Sequence, residues 1–324
     1  MRVLLAGSLL VPFDHLEQAF EAQHPNVDVL MEGHGSIQCA RHVAELDELA
    51  DVVAVADYAL IPMLMYETHD PETGKPYASW TIQFAINQLG LAYTPQSAYA
   101  DEMDAENWHT ILARPDVLFG LSDPRLDACG YRGLMATQLA ERYYGDNLIF
   151  DRVFGQRFTQ PIRVQTREGI DNIVVPEVLQ PEEQSGLVMR GSSVRLLGLL
   201  ESGDLDYAFE YESVSRQHGL EFMALPPEIG LSDEAHQENY ARVLVRLAFQ
   251  RFASVNPEFK GRPIAYGITI PNNAPHPDLA AEFIQFLMGL EGQAVMAEDK
   301  HPMILPPVVD HPELLPDVLR PLIP

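Results

Sequence analysis

The sequence predicts an α/β protein: a doubly wound sheet followed by a second α/β layer. Two observations predict it. Short apolar runs alternate with amphipathic helical stretches from the first residues onward, and the pattern restarts near residue 86. At 324 residues, 47% of them hydrophobic, the chain is long enough for two domains with cores of ordinary size.

Arg2 to Ala6 reads as a short strand, Gly7-Ser8-Leu9 as the turn after it, and Pro12 to Gln23 as a helix that gathers Phe13, Leu16, Ala19 and Phe20 on one face. Val27 to Glu32 is a second strand, Gly33-His34-Gly35-Ser36 a turn into a helix from Ile37 to about Leu49, and Asp51 to Ala56 a third strand. This is βαβαβ, the unit of a parallel sheet. Trp80 to Leu91 resumes a strand-like pattern, and a short helix surrounds Trp108 and Ile111. Val117 to Gly120 is a strand, Ser122-Asp123-Pro124 a turn, and Asp127 precedes a helix reaching about Arg142. Beyond it come a strand over Asp171–Val178, a helix from Val194 to Glu201 stopped by Ser202-Gly203, and a strand over Asp206–Tyr211. Ala235 to Phe252 has the spacing of a helix with Tyr240, Val243, Leu244, Leu247 and Phe252 on its apolar side. Ile264–Ile270 is a strand, Asp278–Met288 a helix, and the proline-rich tail from Pro302 wraps a surface.

Composition narrows the function. Lys and Arg total 21 against 47 Asp and Glu, a formal charge of -26, so the average field repels nucleic acid and anionic lipid. Any anion bound here must be captured by local N–H and O–H groups against that field. Cys39 and Cys129 lack CxxC spacing and read as two separate buried thiols. No apolar run is long enough to span a membrane. The apolar start lacks the h-region and cleavage site of a signal peptide, which fits either an intracellular chain or a mature form whose export segment is gone.

Ser8, Ser36 and Asp127 each stand where a strand gives way to a helix. Taken singly, each is best read as a helix cap. Two such turns from adjacent parallel strands open on one edge of the sheet, however, and helix N-termini there make an anion cradle. A serine nucleophile is disfavoured because GHGS lacks the G-x-S-x-G elbow. His34 and His42 lack the spacing of a metal pair. His24, His69, His276, His301 and His311 adjoin prolines or acidic residues and read as solvated.

Several stretches together, among them EGHGSIQCARHVAEL, ADVVAVADYALIPMLMY, LDACGYRGLMATQLAERYY and LLESGDLDYAFEYESVSRQHGL, resemble the archaeal-type tungstate/molybdate-binding proteins, the solute-binding components of ABC importers. The resemblance runs over nearly the whole chain and implies a two-lobe, type II periplasmic-binding-protein-like fold with the ligand cleft between the lobes. It implies lobe 1 over 1–85 and 214–324, lobe 2 over 86–213, and hinge closure on the ligand. It also implies a monomer partnered by a membrane permease, an extracytoplasmic location, and no cofactor besides the tungstate or molybdate cargo.

For the site, the resemblance implies Ser8 and Ser36 as donors, Asp127 as the carboxylate that approaches the molybdenum or tungsten of the oxyanion, and Tyr211 as a further donor. The family's second carboxylate falls on Ser193 here, which is expected to donate a hydrogen bond to a ligand oxygen instead. A carboxylate facing a dianion at about 4 Å is repelled by roughly 8 kcal/mol at an effective dielectric of 20, so Asp127 is tolerable only if it bonds the metal itself. That argues against sulfate or phosphate, the rival ligands, although a protonated Asp127 can donate to phosphate. A cytosolic sensor or an enzyme on the same fold is the rival from another class. No acid–base pair or nucleophile triad supports catalysis.

Overall fold

The computed structural model describes residues 1–247 and 257–323. The chain divides into two compact units: Met1–Asn87 with Ala265–Pro324, and the described residues between them.

The first unit opens with β1 (Arg2–Ala6), α1 (Leu10–Gln23), β2 (Leu30–His34), α2 (Ser36–Ala44) and β3 (Val52–Val55). β1 lies between β2 and β3 and runs parallel to both, as crossover helices require. Val3, Leu4, Leu5 and the whole of β3 are fully buried, the mark of strands covered on both faces. α1 inserts Phe13, Leu16 and Phe20 into the core. α2 stops at Ala44, short of the predicted Leu49, because Leu46 and Leu49 are exposed and no buried face sustains another turn. β4 (Ile82–Ile86) ends this segment.

The second unit begins with β5 (Leu89–Tyr93), α3 (Trp108–Leu112), β6 (Phe119–Ser122) and α4 (Ala128–Tyr144). The hairpin β7 (Arg163–Arg167) and β8 (Ile170–Val175) follows, then β9 (Leu187–Arg190), α5 (Leu197–Ser202), β10 (Tyr207–Tyr211) and α6 (Glu212–Gln217). β11 (Glu221–Ala224), α7 (Gln237–Tyr240), β12 (Val243–Leu247) and β13 (Glu258–Lys260) complete it. One sheet has the order β11-β5-β10-β6-β9, with β10, β6 and β9 parallel and β5 and β11 antiparallel to their neighbours. A second sheet, β13-β12-β8-β7, is an addition to the single doubly wound layer expected of this lobe.

The helix expected over Ala235–Phe252 is corrected to the short α7 followed by β12, while Phe252 lies outside the described residues. Val243, Val245 and Leu247 are buried and alternate with Leu244 and Arg246, and β12 pairs with β8 on one side and β13 on the other. The apolar spacing fits a helix and a strand equally well, and strand pairing decides. The same pairing corrects the second boundary from near 213 to 264/265, because β11 pairs with β5 and β12 with β8.

The first unit resumes with β14 (Ala265–Thr269), α8 (Pro277–Met288), α9 (Leu290–Glu298) and β15 (Met303–Val309). Its sheet has the order β15-β4-β14-β3-β1-β2, with β14 antiparallel to β3 and β4 and β15 antiparallel to β4. The proline-rich tail therefore supplies an edge strand as well as a surface segment. α8 buries Ala280, Phe283, Ile284 and Leu287, a helical stripe that sets Phe283 against Phe13 and Phe20. Cys39 and Cys129 are both buried, and neither forms a disulfide among the described residues. No helix among the described residues is long and apolar enough to cross a membrane.

Candidate functional site

In the first unit, Ser8 lies in a 3-10 turn (Gly7–Leu9) between β1 and α1, and Ser36 is the first residue of α2. Ala6 and His34 end the paired strands β1 and β2 in register, which puts both serines at one edge of the sheet. The N-cap residues of these helices are Leu9 and Gly35, and the start of α2 is closed by Gln38 Oε1, which accepts the Gly35 N–H at 3.3 Å. Ser36 Oγ accepts the Ala56 N–H at 3.0 Å and Ser8 Oγ accepts the Tyr266 O–H at 2.9 Å. Both serines are buried.

In the second unit, Asp127 takes the N-cap position of α4 in extended backbone conformation, yet its carboxylate makes no capping bond. Asp127 Oδ2 accepts the Ser193 N–H at 3.1 Å. Ser193 Oγ donates to Glu210 Oε1 at 3.0 Å, and that same oxygen accepts the Tyr211 N–H at 2.8 Å. The Tyr211 phenol oxygen accepts from Arg132 Nη1 at 2.7 Å. A guanidinium has only protons to offer, so the phenol's own proton must be directed elsewhere.

Gly130 fixes the start of α4. A Cβ there would stand 2.1 Å from the Ser122 carbonyl oxygen at the end of β6, so only glycine lets the helix sit this close to the strand. The position of Asp127 follows from that contact.

Glu210 is completely buried, and its Oε2 has no hydrogen-bond partner among the described residues. Burial pushes its carboxyl up to about 8, against the lowering effect of the Tyr211 N–H and the Ser193 hydroxyl and with a smaller upward push from the Asp127 charge. It is therefore largely neutral at pH 7. Burial also raises the Cys129 thiol well above its ordinary range, which makes it a packed, unreactive group.

The sequence profile of the bacterial extracellular solute-binding proteins matches residues 1–299. The chain belongs to that family. A solute-binding protein of unknown specificity from Methanoculleus marisnigri is 42% identical over 306 residues, which cover 94% of this chain and 82% of that protein. The molybdate/tungstate-binding protein WtpA of Thermococcus kodakarensis is 39% identical over 313 residues, again 94% of this chain and 82% of the relative. Among solved structures, the periplasmic molybdate-binding protein of Azotobacter vinelandii superposes with a TM-score of 0.56 at 14% identity, over 93% of this chain and 98% of that one. The sulfate-binding protein SubI of Mycobacterium tuberculosis gives 0.57 at 14% identity, over 93% and 85%. At such identity these two report the fold, that of the two-domain periplasmic binding proteins.

Within this family fold, Asp127, Ser193 and Tyr211 come together around Glu210, while Ser8 and Ser36 share the sheet edge of the other unit. The Ser193 hydroxyl proton, expected on a ligand oxygen, is directed at Glu210. Ser193 thus links Asp127 to Glu210. Sequence reasoning missed Glu210, Arg132 and Tyr266. The signal for Glu210 was an ionisable residue inside an apolar strand.

One histidine reading changes. His301, expected to be solvated, is completely buried, its ring edge-on to Tyr266 with centroids 4.5 Å apart. His34 and His42 approach to 4.6 Å between ring centroids, each beside a glutamate, Glu32 and Glu48. Among the described residues, no three His, Cys, Asp or Glu side chains form a metal-holding group.

Proposed function

We infer that this chain captures tungstate or molybdate outside the cytoplasm and presents it, as a monomer, to the membrane permease of an ABC importer. The observation that carries this reading is that Ser8, Ser36 and Asp127 all stand at strand-to-helix turns and none caps its helix. Their polar atoms are held from behind, the serine oxygens by the Ala56 N–H and the Tyr266 O–H. A serine hydroxyl whose oxygen accepts a hydrogen bond still has a proton to donate, and a fully ionised oxyanion is a ligand that can only accept.

Ser8 and Ser36 of the first unit and Asp127 and Tyr211 of the second each contribute to binding in this reading, and Ser193 positions Asp127. The metal enters as cargo with its own oxygens, Asp127 provides a further oxygen to it, and no resident cofactor or covalent step is involved. The name and 39% identity of the Thermococcus relative support the choice of ligand.

Calorimetric titration of the ligand-free protein with tungstate, molybdate, sulfate and phosphate tests the reading. We expect saturable binding of the two metal oxyanions at one per chain, lost in Asp127→Ala and strengthened in Ser193→Glu by restoring a second carboxylate. Binding of sulfate or phosphate in preference to both metal oxyanions would overturn it.

A further inference from the structure

Behind Ser8 the first unit holds a chain of buried polar groups that oxyanion binding alone does not require. Asn87 Nδ2 donates to the Tyr266 phenol oxygen at 3.1 Å, and the phenol donates to Ser8 Oγ at 2.9 Å. Tyr266 is completely buried, and Ser8 and Asn87 are nearly so. The direction is fixed at its source, because the amide nitrogen of Asn87 has protons and no usable lone pair. Tyr266 accepts from Asn87 and passes its own proton to Ser8. One of the two acceptor lone pairs of the Ser8 hydroxyl is then engaged, which restricts where its proton can point.

The phenol ring is held in this orientation from two sides. His301 packs edge-on at 4.5 Å between centroids with an interplanar angle of 81°, and Phe84 does so at 6.2 Å and 72°. Neither nitrogen of His301 has a hydrogen-bond partner among the described residues, so the imidazole serves as a packing surface against Tyr266. Ring rotation away from Ser8 would have to displace both neighbours.

We propose that Tyr266 is a positioning residue for the oxyanion: held by Asn87, it engages one lone pair of the Ser8 oxygen and so orients the Ser8 hydroxyl as a hydrogen-bond donor to the ligand. This deepens the oxyanion reading and rests on it. A serine left to rotate would share its proton among neighbouring acceptors and would have to be reoriented at each binding event. With Tyr266 behind it, that orientation exists before the ligand arrives, and successive O–H groups polarise one another toward it.

A double-mutant cycle on the full chain tests the proposal, with tungstate affinity measured by calorimetry and folding checked by circular dichroism. We expect Ser8→Ala to weaken tungstate about tenfold and Tyr266→Phe, which keeps the ring and removes the hydroxyl, to weaken it about fivefold. The double variant should bind no more weakly than Ser8→Ala alone. Asn87→Ala leaves the Tyr266–Ser8 contact in place and should cost about twofold, which keeps the idea testable if Tyr266→Phe folds poorly. Independent, multiplying losses in the double variant would overturn the proposal, as would wild-type affinity in Tyr266→Phe and Asn87→Ala. Absence of tungstate and molybdate binding by the unaltered protein would instead overturn the oxyanion reading, and the present inference with it.

Discussion

The two units approach the same problem with different chemistry. The corner of the first unit is made of neutral groups: Ser8 backed by Tyr266 and Asn87, and Ser36 backed by a backbone N–H. The corner of the second holds two carboxyl groups, Asp127 and Glu210, with Ser193 between them and Arg132 engaged on Tyr211. Burial also shifts an ionisable group of each unit toward its neutral form, lowering the imidazole of His301 in the first and raising the carboxyl of Glu210 in the second. The contrast teaches that orientation and charge are supplied separately. At these two corners the first unit places hydroxyl groups and the second places two carboxyl groups.

The sharpest way to break this comparison is to remove the charge. Asp127→Ala should lower tungstate affinity at least hundredfold, about 2.8 kcal/mol, whereas Ser36→Ala should cost about tenfold, about 1.4 kcal/mol. Equal losses in a titration of both variants would mean that the carboxylate acts as no more than another polar contact. Next in size is Gly130→Ala, which drives a Cβ into the Ser122 carbonyl oxygen and should cost about 2 kcal/mol of stability in urea unfolding. The corresponding turn of the first unit has no such backbone clash, because Ser36 already carries a side chain at the start of α2.

A further contrast lies in the pH dependence of stability, where the two buried groups act in opposite senses. Glu210 is raised from the ordinary 4.5 to about 8, so between those values the folded protein keeps a proton that the unfolded chain has released. Stability from this group falls as pH rises through that window. His301 is lowered from 6.5 to about 3 by burial, so between those values the unfolded chain holds the extra proton and stability falls as pH drops. Thermal midpoints across pH should therefore lose part of their alkaline decline in Glu210→Gln and part of their acid decline in His301→Phe. If the two variants altered the same limb, the assignment of one titrating group to each unit would be wrong.

Much of the first unit was legible in the sequence because its short apolar runs and amphipathic helices admit one interpretation. The turns carrying Ser8, Ser36 and Asp127 were found by the same logic, as places where a strand ends and a helix begins. The groups behind them were not. Glu210 and Tyr266 stand inside apolar strands, where local pattern assigns a residue to the core and is silent about what its polar end touches. His301 follows Asp299 and Lys300, and those charges mask a ring that tertiary packing encloses. β12 was lost to a helix because Tyr240, Val243, Leu244 and Leu247 satisfy helical spacing, while the alternation of Val243, Val245 and Leu247 acquires meaning only through β8 and β13.

The ends of the first unit's sheet carry a consequence of their own. At one edge β15 contains Pro306 and Pro307, which have no N–H to offer, and its pairing with β4 shifts between Met303 and Val308. At the other edge β2 carries Glu32, held by the Arg2 guanidinium at 2.7 Å, so a charged pair borders the open side. A second copy arriving at either end meets an interrupted ladder or a desolvation cost where it would need a row of free donors and acceptors. Both ends of this sheet therefore carry features that disfavour the addition of a further strand.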